Sequence, residues 1–255
     1  MPSPHGVSRC VSHVVLAFAL AASASAVALS QSGTAQSGTT QRDAVRRALA
    51  GEDDFRNIDV SVDDDGRVLL TGDLPVLLVK MRAIERALEA VGGQEIVSEL
   101  AVPEAESDEA LAEAVAESVQ RYVHYTIFDY ISASIEDGTV VLWGKVTAVP
   151  DKVADLTERV ARVRGVQNIE NQIEVMTPSR ADDELRARLA RRIFGHPSFQ
   201  RYGSMPNPPF HVVVHNGIVT LVGYVQSQIE MLEIQQLVGF TQGILRVDNQ
   251  LETLR

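Results

Sequence analysis

The chain of 255 residues contains one pattern of apolar residues and glycine three times. The copies read "VLLTGDL" at residues 68–74, "VVLWGKV" at residues 140–146 and "VTLVGYV" at residues 219–225. A second glycine follows the glycine of each copy after 20 or 21 residues. A repeat of about 75 residues predicts three tandem units of one small fold. The aligned glycines are Gly72, Gly144 and Gly223 within the copies, and Gly92, Gly165 and Gly243 downstream of them.

A second repeated motif follows the downstream glycine. The second unit reads "IENQI" at residues 169–173, and the third unit reads "VDNQL" at residues 247–251. In the first unit, Ser98 stands where the other two have asparagine. Asn171 and Asn249 lie between inward-facing apolar residues of a strand, so we expect them to fix the register of that strand by backbone or cross-strand hydrogen bonds. A structural role is favoured over a catalytic one.

The apolar periodicity of each unit predicts the element order α-β-β-α-β. Two strands with apolar residues at every second position flank a glycine turn. A helical stripe of apolar residues follows, and a third strand closes the unit. The second helix of each unit is predicted to begin near Pro75, Pro150 or Ser227. The first helices are predicted at residues 43–50, 108–123 and 182–194, with Ser107 and Asp182 as N-caps.

The predicted fold class is α+β, with three tandem small α-β-β-α-β domains. Each domain is expected to be a three-stranded mixed sheet with two helices on one face, because a helix connects the two parallel strands by a right-handed crossover. The predicted domain boundaries are residues 42–103 for a divergent first domain, 107–177 for the second and 180–255 for the third.

The N-terminus is typical of a secretion signal. Arg9 precedes a nine-residue apolar run at residues 14–22, and small residues follow it. The run is shorter than the roughly 20 apolar residues that a membrane-spanning helix needs. We therefore expect residues 1–28 to be a cleaved signal peptide and residues 29–41 to be a flexible linker. The chain from residue 29 has no cysteine, since Cys10 is the only one, so neither disulfides nor thiol chemistry is expected.

The net charge and the absence of known catalytic motifs argue against several classes of function. A formal net charge of -11 and a pI near 5.0 argue against a nucleic-acid partner, whose binding requires neutralisation of phosphates. The four histidines after the signal have no metal-ligand spacing. No nucleophile elbow, phosphate-binding loop or dinucleotide fingerprint is present. We expect no catalytic residue, no metal and no cofactor.

The repeated "V-x-L-x-G-x-V", the helix after it and "G-V-x-x-I-x-N-x-I" resemble the BON domain. The resemblance covers residues 41 to 254, and it is closest in the second and third units. It implies a non-enzymatic periplasmic or envelope role, described for the family as binding phospholipid membranes or stabilising the envelope under stress. The chain departs from the best-known members by having three copies rather than two, and by an insertion at residues 201–210.

Two surfaces are candidates for contact with a membrane or a partner. Val141 and Trp143 should point away from the helices, on the outer face of the second sheet. The alternative is that another repeat packs on this face. The second surface is a helix with four arginines around its solvated side, beside the buried stripe of Leu185, Leu189 and Ile193. These arginines are Arg186, Arg188, Arg191 and Arg192, and the aromatic residues Phe194, Phe199, Tyr202 and Phe210 follow closely enough to insert at an interface.

The arginine helix has an alternative interpretation as an ordinary charged helix, because acidic residues at 182–184 offset its charge. The sequence as a whole predicts an exported periplasmic protein that associates with phospholipid membrane or envelope components without catalysis. The alternative function is a protein-protein adaptor of the envelope that does not bind lipid. The oligomeric state is left open by the sequence.

Overall fold

Three sheets of three strands each follow one another along the chain. The computed structural model describes residues 31–205 and 207–254, so the predicted signal peptide at residues 1–28 lies outside the described residues. The first repeat contains α1 (Gln31–Leu49), β1 (Asp59–Val62), β2 (Val68–Asp73), α2 (Leu77–Ala90) and β3 (Ile96–Ala101). The second contains α3 (Asp108–Gln120), β4 (Tyr130–Glu136), β5 (Thr139–Val146), α4 (Lys152–Ala161) and β6 (Asn168–Val175). The third contains α5 (Arg180–Phe194), α6 (Gln200–Gly203), β7 (Phe210–His215), β8 (Ile218–Val225), α7 (Gln228–Gly239) and β9 (Arg246–Thr253).

Each sheet is mixed. Its middle strand pairs antiparallel with the first strand and parallel with the last one. Side chains alternate across the middle strand, so Val140 and Leu142 are fully buried against α3 and α4. Leu111 of α3 and Leu156 of α4 belong to the same core. The predicted fold class, with three α-β-β-α-β units, is confirmed.

The segment at residues 31–41 belongs to α1, although the sequence predicted a flexible linker there and a helix only from residue 43. The docked part of this helix buries Val45 and Leu49. Gly38 lies so close to the β1–β2 turn that a Cβ atom there would be 2.7 Å from the carbonyl oxygen of Gly66. Because a docked helix has already overcome nucleation, each residue added at its N-terminus gains a hydrogen bond at little further cost.

Of the two predicted N-caps, Ser107 is confirmed and Asp182 is wrong. Ser107 is the N-cap of α3, and its hydroxyl accepts a hydrogen bond from the Ala110 amide at 3.1 Å. The prediction for Asp182 is wrong, because α5 begins two residues earlier and Ser179 is its N-cap. The Asp182 side chain is buried and instead accepts the backbone amides of Asn216 and Gly217, at 2.8 and 2.9 Å, in the β7–β8 turn. It therefore fastens α5 to the hairpin.

The closing-strand asparagines connect their strand to the neighbouring helix. Asn171 donates to the Thr157 hydroxyl at 2.6 Å and accepts the Ile173 amide at 2.9 Å. Asn249 makes an equivalent pair of bonds. It donates to the Gln235 side chain at 3.0 Å and accepts the Leu251 amide at 3.1 Å. The bonds to backbone amides of the same strand agree with the predicted backbone hydrogen bonds, whereas the side-chain bonds run to the helix and not across strands.

We expect Asn171→Ala to lower the free energy of unfolding of the second repeat by about 1–2 kcal/mol, since the Thr157 hydroxyl loses a donor and the Ile173 amide loses the side-chain oxygen that accepts from it. The measurement is urea unfolding followed by fluorescence of Trp143, the only tryptophan of the chain. Thr157→Val is the matched control, and the double variant should destabilise less than the sum of the single ones. Strict additivity of the two effects would contradict the proposed link.

In the first repeat, Ser98 stands in place of the asparagine, and the neighbouring helix shows why. Ser98 pairs with Leu70 in the sheet, as Asn171 pairs with Leu142 in the second repeat. The helix residue fourteen positions before Ser98 is Ile84, which has no polar group to receive an asparagine. The Ser98 hydroxyl is buried without a hydrogen-bond partner in the described structure. The loss of the asparagine therefore goes together with the loss of its partner on the helix.

The first two repeats share part of one core. Leu77 and Leu78 at the start of α2 are buried in the core cluster of the second repeat. Beside them, Arg82 of α2 and Glu158 of α4 form an ion pair at 3.3 Å. Across the same junction, the Gln167 side chain donates to the carbonyl of Pro103 at 2.8 Å. The start of α2 is therefore a surface that docks one repeat on the next.

The second and third repeats meet along β7. The Val212 amide donates to the Ile127 carbonyl at 2.6 Å, so a loop of the second repeat bonds to the edge of the third sheet. The His211 ring lies 5.3 Å from the ring of Tyr125 and 5.8 Å from that of Tyr130. Burial lowers the pKa of His211 from its usual value. Met176 covers part of the outer face of the third sheet and completes this contact.

Candidate functional site

The first predicted surface lies on the outer face of the second sheet, with Val141 half-buried and Trp143 39% exposed. The strands on either side place Ser132 and Gln172 next to Trp143. Polar residues therefore flank the indole on both neighbouring strands. A contact role for Val141 and Trp143 stays a prediction of the sequence.

The second predicted surface is the arginine helix, α5. The prediction that all four arginines lie on its solvated side is wrong for Arg186, which is buried. Its Nη2 atom donates to the Val214 carbonyl at 2.5 Å, and its Nη1 atom to Asp183 at 2.6 Å. Helical spacing alone does not show which residue beside the apolar stripe reaches a neighbouring strand. Arg186 therefore joins α5 to β7 rather than facing solvent.

Two of the other three arginines, Arg188 and Arg192, reach the C-terminal end of α7. Arg188 donates to the Gln242 carbonyl at 3.4 Å, and Arg192 donates to the Phe240 carbonyl at 3.1 Å. Cations are favourable at this end of a helix because they offset its partial negative charge. Arg191 is exposed and has no side-chain partner in the described part of the chain. Arg188 also lies 4.0 Å from a carboxylate oxygen of Glu184, so the local excess of positive charge comes mainly from Arg191 and Arg192.

The aromatic residues after α5 are not available for insertion. Phe199, Tyr202 and Phe210 are buried, and the rings of Tyr202 and Phe210 meet edge to face at 5.2 Å. Phe194 is half-buried and stacks on Phe210 at 6.4 Å. The expectation of an aromatic interface here is wrong, because α6 and the residues that follow it fold back over the core of the third repeat.

Two other apolar residues, which the sequence analysis did not single out, are exposed directly after α7. Phe240 is 74% exposed and Leu245 is 81% exposed, and both lie in the connection between α7 and β9. We call these two residues the apolar tip. Aligned on the downstream glycines, the same positions hold Glu89 and Gln94 in the first repeat and Arg162 and Gln167 in the second. That alignment is the sequence signal that would have found the tip.

Within residues 31–205 and 207–254, no group of three or more histidine, cysteine, aspartate or glutamate side chains is placed to hold a metal ion. In the same part of the chain, no helix combines the length and apolar character needed to cross a membrane. The site with the most distinctive surface is therefore the apolar tip with its arginines.

Comparison with family models identifies the repeats. The BON domain model matches residues 37–104, 107–177 and 181–255, which together make up most of the chain. The chain belongs to the BON domain family. The glycine pattern therefore resembles the BON domain because each repeat is one, and the apolar tip is a feature of the third BON domain alone.

Solved structures with detectable similarity are distant. The C-terminal domain of CdsD, described as the structural protein of the type III secretion system of Chlamydia trachomatis, matches with 16% identity and a TM-score of 0.25, over 84% of this chain and 96% of that one. The periplasmic domain of the inner-membrane protein PrgH from S. typhimurium matches with 14% identity and a TM-score of 0.23, over 78% and 94%. Scores this low say nothing about the function of this chain. No curated protein matches it.

Proposed function

We propose that this BON domain protein acts in the periplasm, without catalysis, by associating peripherally with anionic phospholipid through the apolar tip of its third domain. The observation that supports this most strongly is the exposure of Phe240 and Leu245 in a connection whose backbone carbonyls accept hydrogen bonds from Arg188 and Arg192. Large exposed apolar residues with neighbouring cations are typical of surfaces that enter the interfacial region of a bilayer. The predicted signal peptide supports export.

The energetics favour insertion of the tip over charge attraction alone. Full burial of a phenylalanine or leucine side chain contributes about 1.5–3 kcal/mol. Each cation close to an anionic surface contributes about 1 kcal/mol. Arg188 and Arg192 already donate to main-chain carbonyls, so only part of their hydrogen-bonding capacity is free for phosphate. We therefore expect apolar contact to dominate and the dependence on salt to be moderate.

The test compares vesicle co-sedimentation of the chain from residue 29 with that of the Phe240→Gln/Leu245→Gln variant. We expect binding of the unchanged protein to vesicles that contain phosphatidylglycerol, and a loss of at least about tenfold in affinity for the variant, since each lost apolar contact contributes more than 1 kcal/mol. Glutamine is the residue that the other two repeats have at the equivalent of position 245. Phe240 and Leu245 are both exposed, so the variant should keep the fold.

Two controls separate this proposal from its alternatives. Trp143→Phe alters the first predicted surface and should leave vesicle binding unchanged. Arg191→Gln should lower the affinity only slightly, because Arg191 contributes one exposed charge. Failure of the unchanged protein to bind vesicles of any composition would overturn the proposal and favour a protein-protein adaptor. Equal binding by the protein and its Phe240→Gln/Leu245→Gln variant would show that lipid contacts another surface.

A further inference from the structure

Two histidines of β7 lie on the face of the third sheet that packs against the second repeat. Every second residue of this strand points away from the helix-covered core, and these residues are His211, Val213 and His215. Val213 packs there in one apolar cluster with Met176, the residue directly after β6. The contact between the second and third BON domains therefore contains two side chains that can change charge near neutral pH.

His211 contacts two tyrosine rings of the second repeat. Its ring lies 5.3 Å from that of Tyr125 and 5.8 Å from that of Tyr130. The Nδ1 atom of His211 is buried without a hydrogen-bond partner in the part of the chain that the structure describes. The next residue of β7, Val212, makes the backbone bond to Ile127 that joins the two domains. The imidazole therefore lies at the centre of the contact.

The neutral form of His211 suits this environment better than the protonated form. A neutral ring can keep a lone pair on Nδ1, whereas the protonated ring has an N–H donor there, and a buried donor without an acceptor is costly. Burial lowers the pKa of His211, and the carbonyls of Thr126 and Asp129 and the Asp129 carboxylate raise it without reversing this effect. That carboxylate is already paired with Lys152, at 2.9 and 3.0 Å. The two tyrosines contribute no counter-charge.

His215 responds to acid in the opposite direction, but more weakly. Its Nδ1 atom lies 3.8 Å from a carboxylate oxygen of Glu174 in the second repeat, so protonation of His215 favours the contact. The Glu174 side chain is 51% exposed and already pairs with Lys145 at 3.0 Å. An exposed pair at this separation contributes little. The response of the contact to acid is therefore set by His211.

We infer that the contact between the second and third BON domains is an acid-sensitive hinge, which holds while His211 is neutral and opens when that ring is protonated. In the open state the ring returns to water, where its pKa has the ordinary value of 6.5. Because the closed state has the lower pKa, the contact keeps its full stability above pH 6.5. It loses stability as the pH falls below 6.5 toward the value of the closed state.

Thiol labelling at position 213 measures the opening of the hinge. The chain from residue 29 has no cysteine, and Val213 is only 5% exposed because it packs against the second repeat. The labelling rate of Val213→Cys is divided by that of Leu245→Cys, whose position is 81% exposed, so that the pH dependence of the thiol itself cancels. Between pH 7.5 and pH 5.5 we expect this ratio to rise by up to about tenfold, since opening takes up one proton with a pKa near 6.5.

Substitutions of the two histidines identify the residue that senses acid. In the Val213→Cys background, His211→Phe keeps an aromatic ring that cannot be protonated, so the labelling ratio should become independent of pH. His211→Gln is a second neutral variant with the same expectation. His215→Gln is the matched control on the same strand and should leave the rise in place. A ratio that does not change with pH when His211 is present, or a rise that persists in both His211 variants, would overturn the inference.

Hydrogen exchange followed by nuclear magnetic resonance tests the hinge without a cysteine. The Val212 amide donates across the contact, so its protection factor should fall by up to about tenfold between pH 7.5 and pH 5.5. The Val140 amide, in the middle strand of the second sheet, should keep its protection. An equal loss at both amides would show unfolding of the second repeat and would overturn the inference. Neither measurement contains lipid, so its result is independent of the proposed membrane contact.

Discussion

Replacing Gly144 with alanine is expected to unfold the second repeat or to lower its free energy of unfolding by more than about 3 kcal/mol. Gly144 has a φ of +137°, and a Cβ atom there would lie 2.0 Å from the carbonyl oxygen of Tyr130 on the neighbouring strand. No side chain fits at that distance without displacement of β4 from β5. At the strand glycines of the other repeats, Gly72 and Gly223, a Cβ atom would lie 2.1 and 2.4 Å from a backbone carbonyl oxygen.

The measurement is denaturant unfolding followed by the fluorescence of Trp143, which lies next to Gly144 in β5. Gly92→Ala is the control, since Gly92 also has a positive φ but no atom within 4 Å of the added Cβ. It should cost only about 1 kcal/mol. Equal effects of the two variants would show that backbone conformation, and not the close approach of two strands, explains the repeated strand glycine.

Asp129→Ala is expected to lower the free energy of unfolding by about 3–5 kcal/mol, because it leaves a buried lysine without its counter-ion. Asp129 and Lys152 are almost completely buried, and the Lys152 Nζ atom lies 2.9 and 3.0 Å from the two carboxylate oxygens. The carboxylate also accepts the amides of Thr126 and Thr147, at 2.8 and 2.6 Å. It therefore fixes the loop that contacts β7 in the third repeat.

The lysine provides the matched control. Lys152→Met should destabilise less than Asp129→Ala, because the carboxylate keeps its donors from Thr126 and Thr147. Addition of Lys152→Met to Asp129→Ala should restore part of the lost stability, since the unpaired charge is removed. The measurement is denaturant unfolding followed by Trp143 fluorescence, which gives the free energy of unfolding of each variant. A double variant less stable than Asp129→Ala alone would contradict the account of the buried pair.

The fold could be predicted because its signals are local and repeated. Gly144 and its equivalents mark a backbone conformation that few other residues adopt, and the alternation around Val140 and Leu142 indicates which side of the strand is buried. The same reasoning could not predict that Asp182 would turn away from its own helix to bond to a hairpin turn. Such bonds depend on how distant elements pack.

The candidate site was predicted less well, for physical reasons. Arg186 is adjacent to the apolar stripe of α5, and only the position of β7 determines that it is buried. Phe199 and Phe210 were expected near an interface because they are aromatic, yet a long insertion gave them a core to fill. Phe240 and Leu245 belong to no motif, and the aligned repeats mark them only as apolar residues at positions that are polar elsewhere; that they are exposed comes from the structure.

The central claim is that the apolar tip enters the membrane, and a tryptophan placed at position 240 tests it most directly. In a Trp143→Phe background, Phe240→Trp makes residue 240 the only fluorophore of that kind. On addition of vesicles that contain brominated phosphatidylglycerol, the account predicts a blue-shifted emission and strong quenching. An emission that stays typical of a water-exposed indole, without quenching, would contradict insertion of the tip.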